Sequence, residues 1–265
     1  MQMVAASKMR RAQEQVVASR PYSEKLKAVL AGLALQSAGD DDSAHPLLEQ
    51  RSVKSVLLVE ITPDRGLAGG LPSNINRASD RFMQAQQTAT SVITVGRKGR
   101  DFMIRAAREV RASFPGLGDK PTLGECLPIT SMITELYTSG AVDEVHLAYT
   151  RFVNTIVQEA VMTQLLPINT EAMESVGPAV DYLYEPDAQT VLSILLPRFL
   201  DVMFYQGILE SNASEQSSRM VAMRNATDAA EEMVESLTLE LNKARQAMIT
   251  AELLDLVGGV AALEG

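Results

Sequence analysis

Apolar and small residues recur along the end of the chain with alternating spacings of three and four: Met220, Met223, Thr227, Ala230, Val234, Leu237, Leu241, Ala244, Met248 and Ala251. This is a heptad seam, the pattern of a coiled coil. From Gln206 to about Leu263 there is no proline, and the only glycines are Gly207, Gly258 and Gly259. The pattern predicts one continuous helix roughly 80 Å long. Such a helix outgrows a globular domain of this size, so its seam needs a partner. The start of the chain offers one, because Ala5, Met9, Ala12, Val16, Ser19, Ser23, Leu26, Leu30 and Leu33 repeat the same spacing. If the middle of the chain folds as one domain, its ends emerge side by side and the two helices run antiparallel. Pro21 predicts a kink or break in the first helix, and Pro197 a break before the long one.

Between the helices the period changes. Val53–Ile61, with its apolar run at 56–59, reads as a buried strand, and 91–95 and 109–114 read as further strands. Helical patterns over 72–85, 98–107 and 123–138 alternate with them. Segments 142–150 and 155–165 read as an antiparallel hairpin, and 181–184 as a short strand with Asp187 capping the next helix. The fold class is therefore α/β: a long antiparallel two-helix coiled coil made by the two ends, with an inserted Rossmann-like domain. The expected divisions are residues 1–38 for the first helix, 51–190 for the α/β domain and 191–265 for the C-terminal helical region.

Composition narrows the function. A net charge of -9 argues against a general nucleic-acid binder, although Lys8, Arg10, Arg11, Arg20, Lys25 and Lys27 make the first helix basic. Cys126 is the only cysteine, which excludes an internal disulfide and, with His45 and His146 far apart, disfavours a metal site. No basic residue near Cys126 in sequence would activate it. The apolar runs, such as 56–59 and 194–197, are too short to span a bilayer, and the first residues lack a signal-peptide pattern. The turn Gly66-Leu67-Ala68-Gly69-Gly70 follows a strand where phosphate loops live, but matches neither phosphate-loop pattern. It reads first as a tight strand-to-helix connection. The basic turn 96–100 reads first as a solvated loop, with an anion at a helix N-terminus as its alternative. Asp143 and Glu144 read as edge charges. No catalytic, metal or cofactor constellation emerges. The exception to this blandness is Arg245, Gln246, Thr250 and Glu252, followed by an apolar tail, Leu253–Leu263, that would be a liability in water unless other chains sheathed it.

Several stretches together resemble the gamma subunit of the bacterial F-type ATP synthase over essentially the whole chain. They are Met3–Gln13, Arg20-Pro21-Tyr22, Asp64–Gly70, Val95–Gly99, Tyr182–Asp187, Ala213-Ser214-Glu215-Gln216 with Arg219–Met223, Ala226–Ala229 and Asn242–Gln246. The resemblance implies a non-catalytic central rotor that couples proton-driven rotation of the c-ring to the conformational cycle of the alpha/beta catalytic sites. The implied partners are the alpha, beta and epsilon subunits and the c-ring, and the implied place is the cytoplasmic face of a bacterial membrane. It further implies that Lys8, Arg11, Gly69, Arg245, Gln246, Thr250 and Glu252 meet the alpha/beta ring, and that Tyr184 and Glu185 meet epsilon and the c-ring. It implies that the first helix passes through Pro21. Relative to the family pattern the chain begins inside the N-terminal helix, so that helix's first basic turns are expected to be missing. Ala68 replaces a cysteine common in the family turn, and the two-cysteine insertion of chloroplast relatives is absent. Two other readings stay open at this point: a coiled-coil scaffold without rotation, and a nucleotide-binding α/β enzyme with a dimerising hairpin.

Overall fold

The computed structural model describes residues 1–37, 45–169, 185 and 187–264. The expected strand at 181–184 lies outside them. The chain divides into a compact unit, Met1–Val221, and a second unit, Ala222–Gly265.

In the compact unit the elements run α1 (Gln2–Ser37), β1 (Ser55–Ile61), α2 (Leu71–Ala85), β2 (Ala89–Val95), α3 (Arg97–Arg105), β3 (Val110–Phe114), α4 (Leu123–Thr138), β4 (Glu144–Phe152) and β5 (Gln158–Leu166). The long helix α5 (Ala188–Glu264) begins there and supplies the whole of the second unit's described structure. The sheet order is β3-β2-β1-β4-β5, parallel except for the antiparallel β4–β5 pair. The apolar runs of β1 and β2 are buried because helices cover both faces. On one face Leu58, Val92 and Ala148 pack under Ile75 and Met83 of α2 and Met103 of α3. On the other, Leu57, Val59, Ile93 and Leu147 join a larger core with Ile129 and Ile133 of α4, Leu30 of α1, and Leu196, Leu200 and Phe204 of α5.

One strand residue breaks the apolar pattern. Glu60 of β1 is fully buried on the α2/α3 side, beside Thr94 in the register. No hydrogen bond reaches either of its carboxylate oxygens. Burial pushes its carboxyl up to about 7, and the Asp80 charge adds to the rise. Gly99 is what makes room for it, since a Cβ there would come within 2.5 Å of Glu60 Oε2.

The two end helices pair antiparallel inside the compact unit. Ser19 Oγ donates to Gln206 Oε1 at 2.6 Å, Arg20 faces Glu210 at 3.6 Å, and Ala12 and Val16 pack with Leu209 and Ala213. Here the structure corrects the expected alignment. The partner of the first seam is not 220–251 but the earlier stretch of α5, whose Leu192, Leu196, Phe199 and Leu200 the pattern had assigned to a separate helix. In this register α1 runs out near Val221. The first helix passes through Pro21 as the resemblance implies, whereas the break expected at Pro197 is not there. Pro21 and Pro197 both lie inside continuous helices. Each is exposed, and the carbonyls they leave without an amide partner belong to exposed Val17 and Ser193, where water can serve them. By length and composition α5 is apolar enough to cross a bilayer, but much of its apolar side is spent on the core.

Candidate functional site

Strands β1, β2 and β3 step away from β1 on one side, and β4 and β5 lie on the other. The C-terminal ends of β1 and β4 therefore flank the topological switch point, where open α/β sheets usually bind ligands. In this chain α5 lies across it. Ile208, Ser211, Asn212 and Glu215 of α5 face Ile61, Thr62 and Thr150, leaving a hollow of about 50 Å³. Gly207 permits the approach, because a Cβ there would come within 2.8 Å of a Leu147 methyl.

The basic turn before α3 is closed in the same way. A helix start leaves four N–H groups unpaired. Here Gly96 N–H donates to the Phe114 carbonyl, Arg97 N–H to Asp64 Oδ1, Lys98 N–H to the Pro63 carbonyl and Gly99 N–H to Thr62 Oγ1. The chain's own groups occupy the positions an anion would take.

The Gly66–Gly70 turn is tied to α5. Gly69 adopts φ +56°, the left-handed region that glycine enters at little cost, and Leu67 follows it there at +63°. Ser218 Oγ donates to the Ala68 carbonyl at 2.7 Å and Arg219 to the Gly66 carbonyl at 3.3 Å. Arg219 also pairs with Glu215, one helical turn back. Burial pushes the Glu215 carboxyl up even beside that guanidinium. Lys8 donates to Asp119 and holds that carboxyl below its ordinary range. Asp119 in turn accepts from Gln216, while its carbonyl accepts from Asn212. Lys8 and exposed Arg11 line an open hollow of about 350 Å³ with Asp119 and Lys120. Thus Lys8, Arg11 and Gly69 all gather around residues 212–219 of α5. Of these α5 residues Ala213–Gln216 and Arg219 carry the resemblance without an implied role; the local signal is four serines, Ser211, Ser214, Ser217 and Ser218, within eight residues.

The second unit presents a different surface. Every described side chain from Arg224 to Val260 is exposed. The large apolar ones include Leu237, Leu241, Met248, Leu254, Leu256 and Val257. Among the described residues, no ion pair lies beyond Arg219. Residues 225–242 carry five carboxylates and no base, and Lys243 and Arg245 follow at once. Arg245 and Glu252, seven residues apart, share one helix face; Gln246 and Thr250, four apart, share the next. Thr250 gives its hydroxyl proton to the Gln246 carbonyl at 2.8 Å, so what it offers outward is an acceptor oxygen and a methyl group. Elsewhere Glu185 is exposed, two residues before Asp187, which caps α5 by accepting from Thr190 N–H at 2.7 Å. Tyr184 lies outside the described residues.

A family model described as ATP synthase matches residues 1–263. The ATP synthase gamma chain of Dehalococcoides mccartyi (strain CBDB1) is 52% identical over 264 residues, covering 99% of this chain and 92% of the relative. That of Pelotomaculum thermopropionicum is 46% identical over 264 residues, with coverage of 100% and 92%. Among solved structures, a chain of the Tetrahymena thermophila mitochondrial ATP synthase, determined as central stalk and c-ring, superposes with a TM-score of 0.68. It is 28% identical and covers 86% of this chain and 97% of its own. A chain of the Euglena gracilis mitochondrial ATP synthase, from an OSCP/F1/c-ring structure, shares the fold at a TM-score of 0.61 and 18% identity, covering 97% and 95%. A paired helical hairpin around a sheet whose ligand crevice is taken by its own helix, with relatives of this closeness along its whole length, has one reading: the chain belongs to the ATP synthase gamma-chain family, the rotor shaft of the central stalk.

Proposed function

We propose that the second unit is the part of the rotor that the alpha/beta ring encloses, and that Arg245, Gln246, Thr250 and Glu252 form its polar contact with the ring. The observation that carries this is the unbroken exposure of Arg224–Val260 with large apolar side chains among them. An apolar surface of that extent is stable in water only when another surface covers it. A rotating helix within a ring is a ligand whose contacts differ for each catalytic state, so turning it shifts their populations. Lys8, Arg11 and Gly69 belong to the same proposal as contacts of the compact unit with beta subunits. Tyr184 and Glu185 are proposed to meet epsilon and the c-ring. The chain itself does no chemistry in this reading. The switch-point crevice filled by α5 and the occupied amides of α3 support that. The working place would be the cytoplasmic face of a bacterial membrane, held there through the c-ring.

The test compares two arginines of the exposed stretch, Arg245 and Arg224. Losing one partner of a charged, desolvated contact costs about 2–5 kcal/mol in the state where it forms. Arg245→Ala should therefore lower ATP-driven proton pumping at least about tenfold per assembled complex, and Arg224→Ala far less. Equal turnover in wild type and Arg245→Ala, with normal assembly, would leave Arg245 as a solvated helix charge.

A further inference from the structure

The pairing of β1 with β4 ends at Glu60 opposite Ala148, yet β4 continues to Phe152. Beyond Ala148 the inner edge of β4 has no strand beside it, and an unpaired buried backbone group is costly. Helix α5 takes the place of the missing strand. Thr150 N–H donates to Ser211 Oγ at 3.2 Å, and Ser214 Oγ donates to the Thr150 carbonyl at 3.1 Å. Two serines one turn apart thus hold both main-chain groups of one residue. The contacts continue down the helix. Ser217 Oγ donates to the Thr155 carbonyl at 2.8 Å, and Ser218 and Arg219 hold the Ala68 and Gly66 carbonyls. Ser211, Ser214 and Ser217 are all buried. Side chains of α5 therefore grip the main chain of the β1–α2 turn, β4 and the β4–β5 connection.

We infer that this belt, Ser211 to Arg219, is the torque-bearing joint of the rotor, where rotation of the globular part is handed to the helix. The inference rests on the rotor role. Torque about a helix axis is resisted only by forces directed around the helix surface. Dispersion contacts of small residues, such as Ala12 with Ala213, are individually weak and orientationally undemanding. Hydrogen bonds lose strength steeply as their angle departs from linear, so they oppose twisting. Those of the belt end on backbone groups, which cannot yield by changing rotamer. The belt is also the last stretch of α5 before Val221, where the compact unit ends. Ser211, Ser214 and Ser217 act through the helix they hold; they are positioning residues.

The experiment uses complete ATP synthase in membrane vesicles and reads protons pumped per ATP hydrolysed. With an uncoupler present there is no load, and S211A/S214A should hydrolyse ATP within about twofold of wild type. Against a rising proton gradient its pumping ratio should fall at least about threefold, since the two lost hydrogen bonds raise the rate of slip. Ser193 is exposed and bonds only within its own helix turn, so S193A should match wild type at every gradient. S217C/T155C built into S211A/S214A should recover the ratio when oxidised to a disulfide and lose it when reduced. Cys126 stays out of that reaction because burial pushes its thiol up to about 12. If S211A/S214A fails to assemble, S217A carries the same test with a smaller fall in ratio. A ratio equal to wild type at every gradient overturns the joint, as does a loss that oxidation fails to restore. Lost assembly with an unchanged ratio per complex would mark the belt as structural only and overturn it too. A wild-type complex that hydrolyses without pumping would count against the rotor role itself.

Discussion

Helix α5 is two different objects on either side of Val221. Before it, Phe204 is fully buried, Leu200 and Leu209 nearly so, and serines reach across to the sheet. After it, Leu237 and Leu241 are 57% and 69% exposed. Both stretches carry helical apolar periodicity, so the difference does not lie in their patterns. It lies in who covers the apolar stripe. The first stretch is covered by the chain's own sheet and α1, the second by nothing among the described residues. An apolar stripe therefore reports that a helix has a partner, and says nothing of whether the partner is the same chain.

The widest gap between the stretches should appear in hydrogen exchange of the free protein. Amides of residues 199–217 should exchange near the global unfolding rate, and those of 225–260 at least about a hundredfold faster, with the step at Val221. Equal protection on both sides would erase the comparison. Next comes packing: Phe204→Ala should destabilise by about 3–5 kcal/mol in urea unfolding, whereas Leu241→Ala should stay within about 0.5 kcal/mol.

The compact part should also answer to pH through Glu60. Its carboxyl titrates at about 7 when folded against 4.5 unfolded, so between those values the folded state binds the proton more tightly. The stability that Glu60 contributes is fully present below 4.5, falls as pH rises through that window and is lost above 7. Glu60→Gln, which has no charge to bury, should flatten this slope and exceed wild type above roughly pH 7. Urea midpoints across the window decide it, and parallel curves for the two proteins would refute it. The smallest effect belongs to Gly258→Ala. Nothing lies within 4 Å of a Cβ there, so the helix should gain about 0.5–1 kcal/mol, read as more helical circular dichroism in the free protein. At Gly207 the same change meets Leu147 and should destabilise.

Strands β1 to β5, the Rossmann-like sheet and the antiparallel helical hairpin were legible because short apolar runs and period-3.5 patterns are local. The register of the hairpin was not. Ala5, Ala12 and Ser19 are small and would fit several alignments, and only contacts such as Ser19 with Gln206 choose between them. Pro197 misled because a proline's cost depends on whether water reaches the freed carbonyl, which sequence does not reveal. The motif around Arg245 was visible as polar residues before an apolar tail. The serine belt was visible only as letters, since its partners are main-chain groups that carry no residue signature. Glu60 was hidden because one acid does not change the reading of an apolar run as a buried strand, and only the covered faces of the sheet show that it is buried without a hydrogen bond.

The occupied switch-point crevice has one further consequence. A cofactor in such a cleft binds and leaves, and its occupancy follows its concentration. Helix α5 is tethered to the sheet it docks on, so its effective concentration is fixed by the chain and is not diluted. The cleft behaves as a permanently saturated receptor. What the fold elsewhere uses to recognise a diffusing molecule is here converted into a mechanical fitting, and the specificity of that recognition becomes the stiffness of an axle.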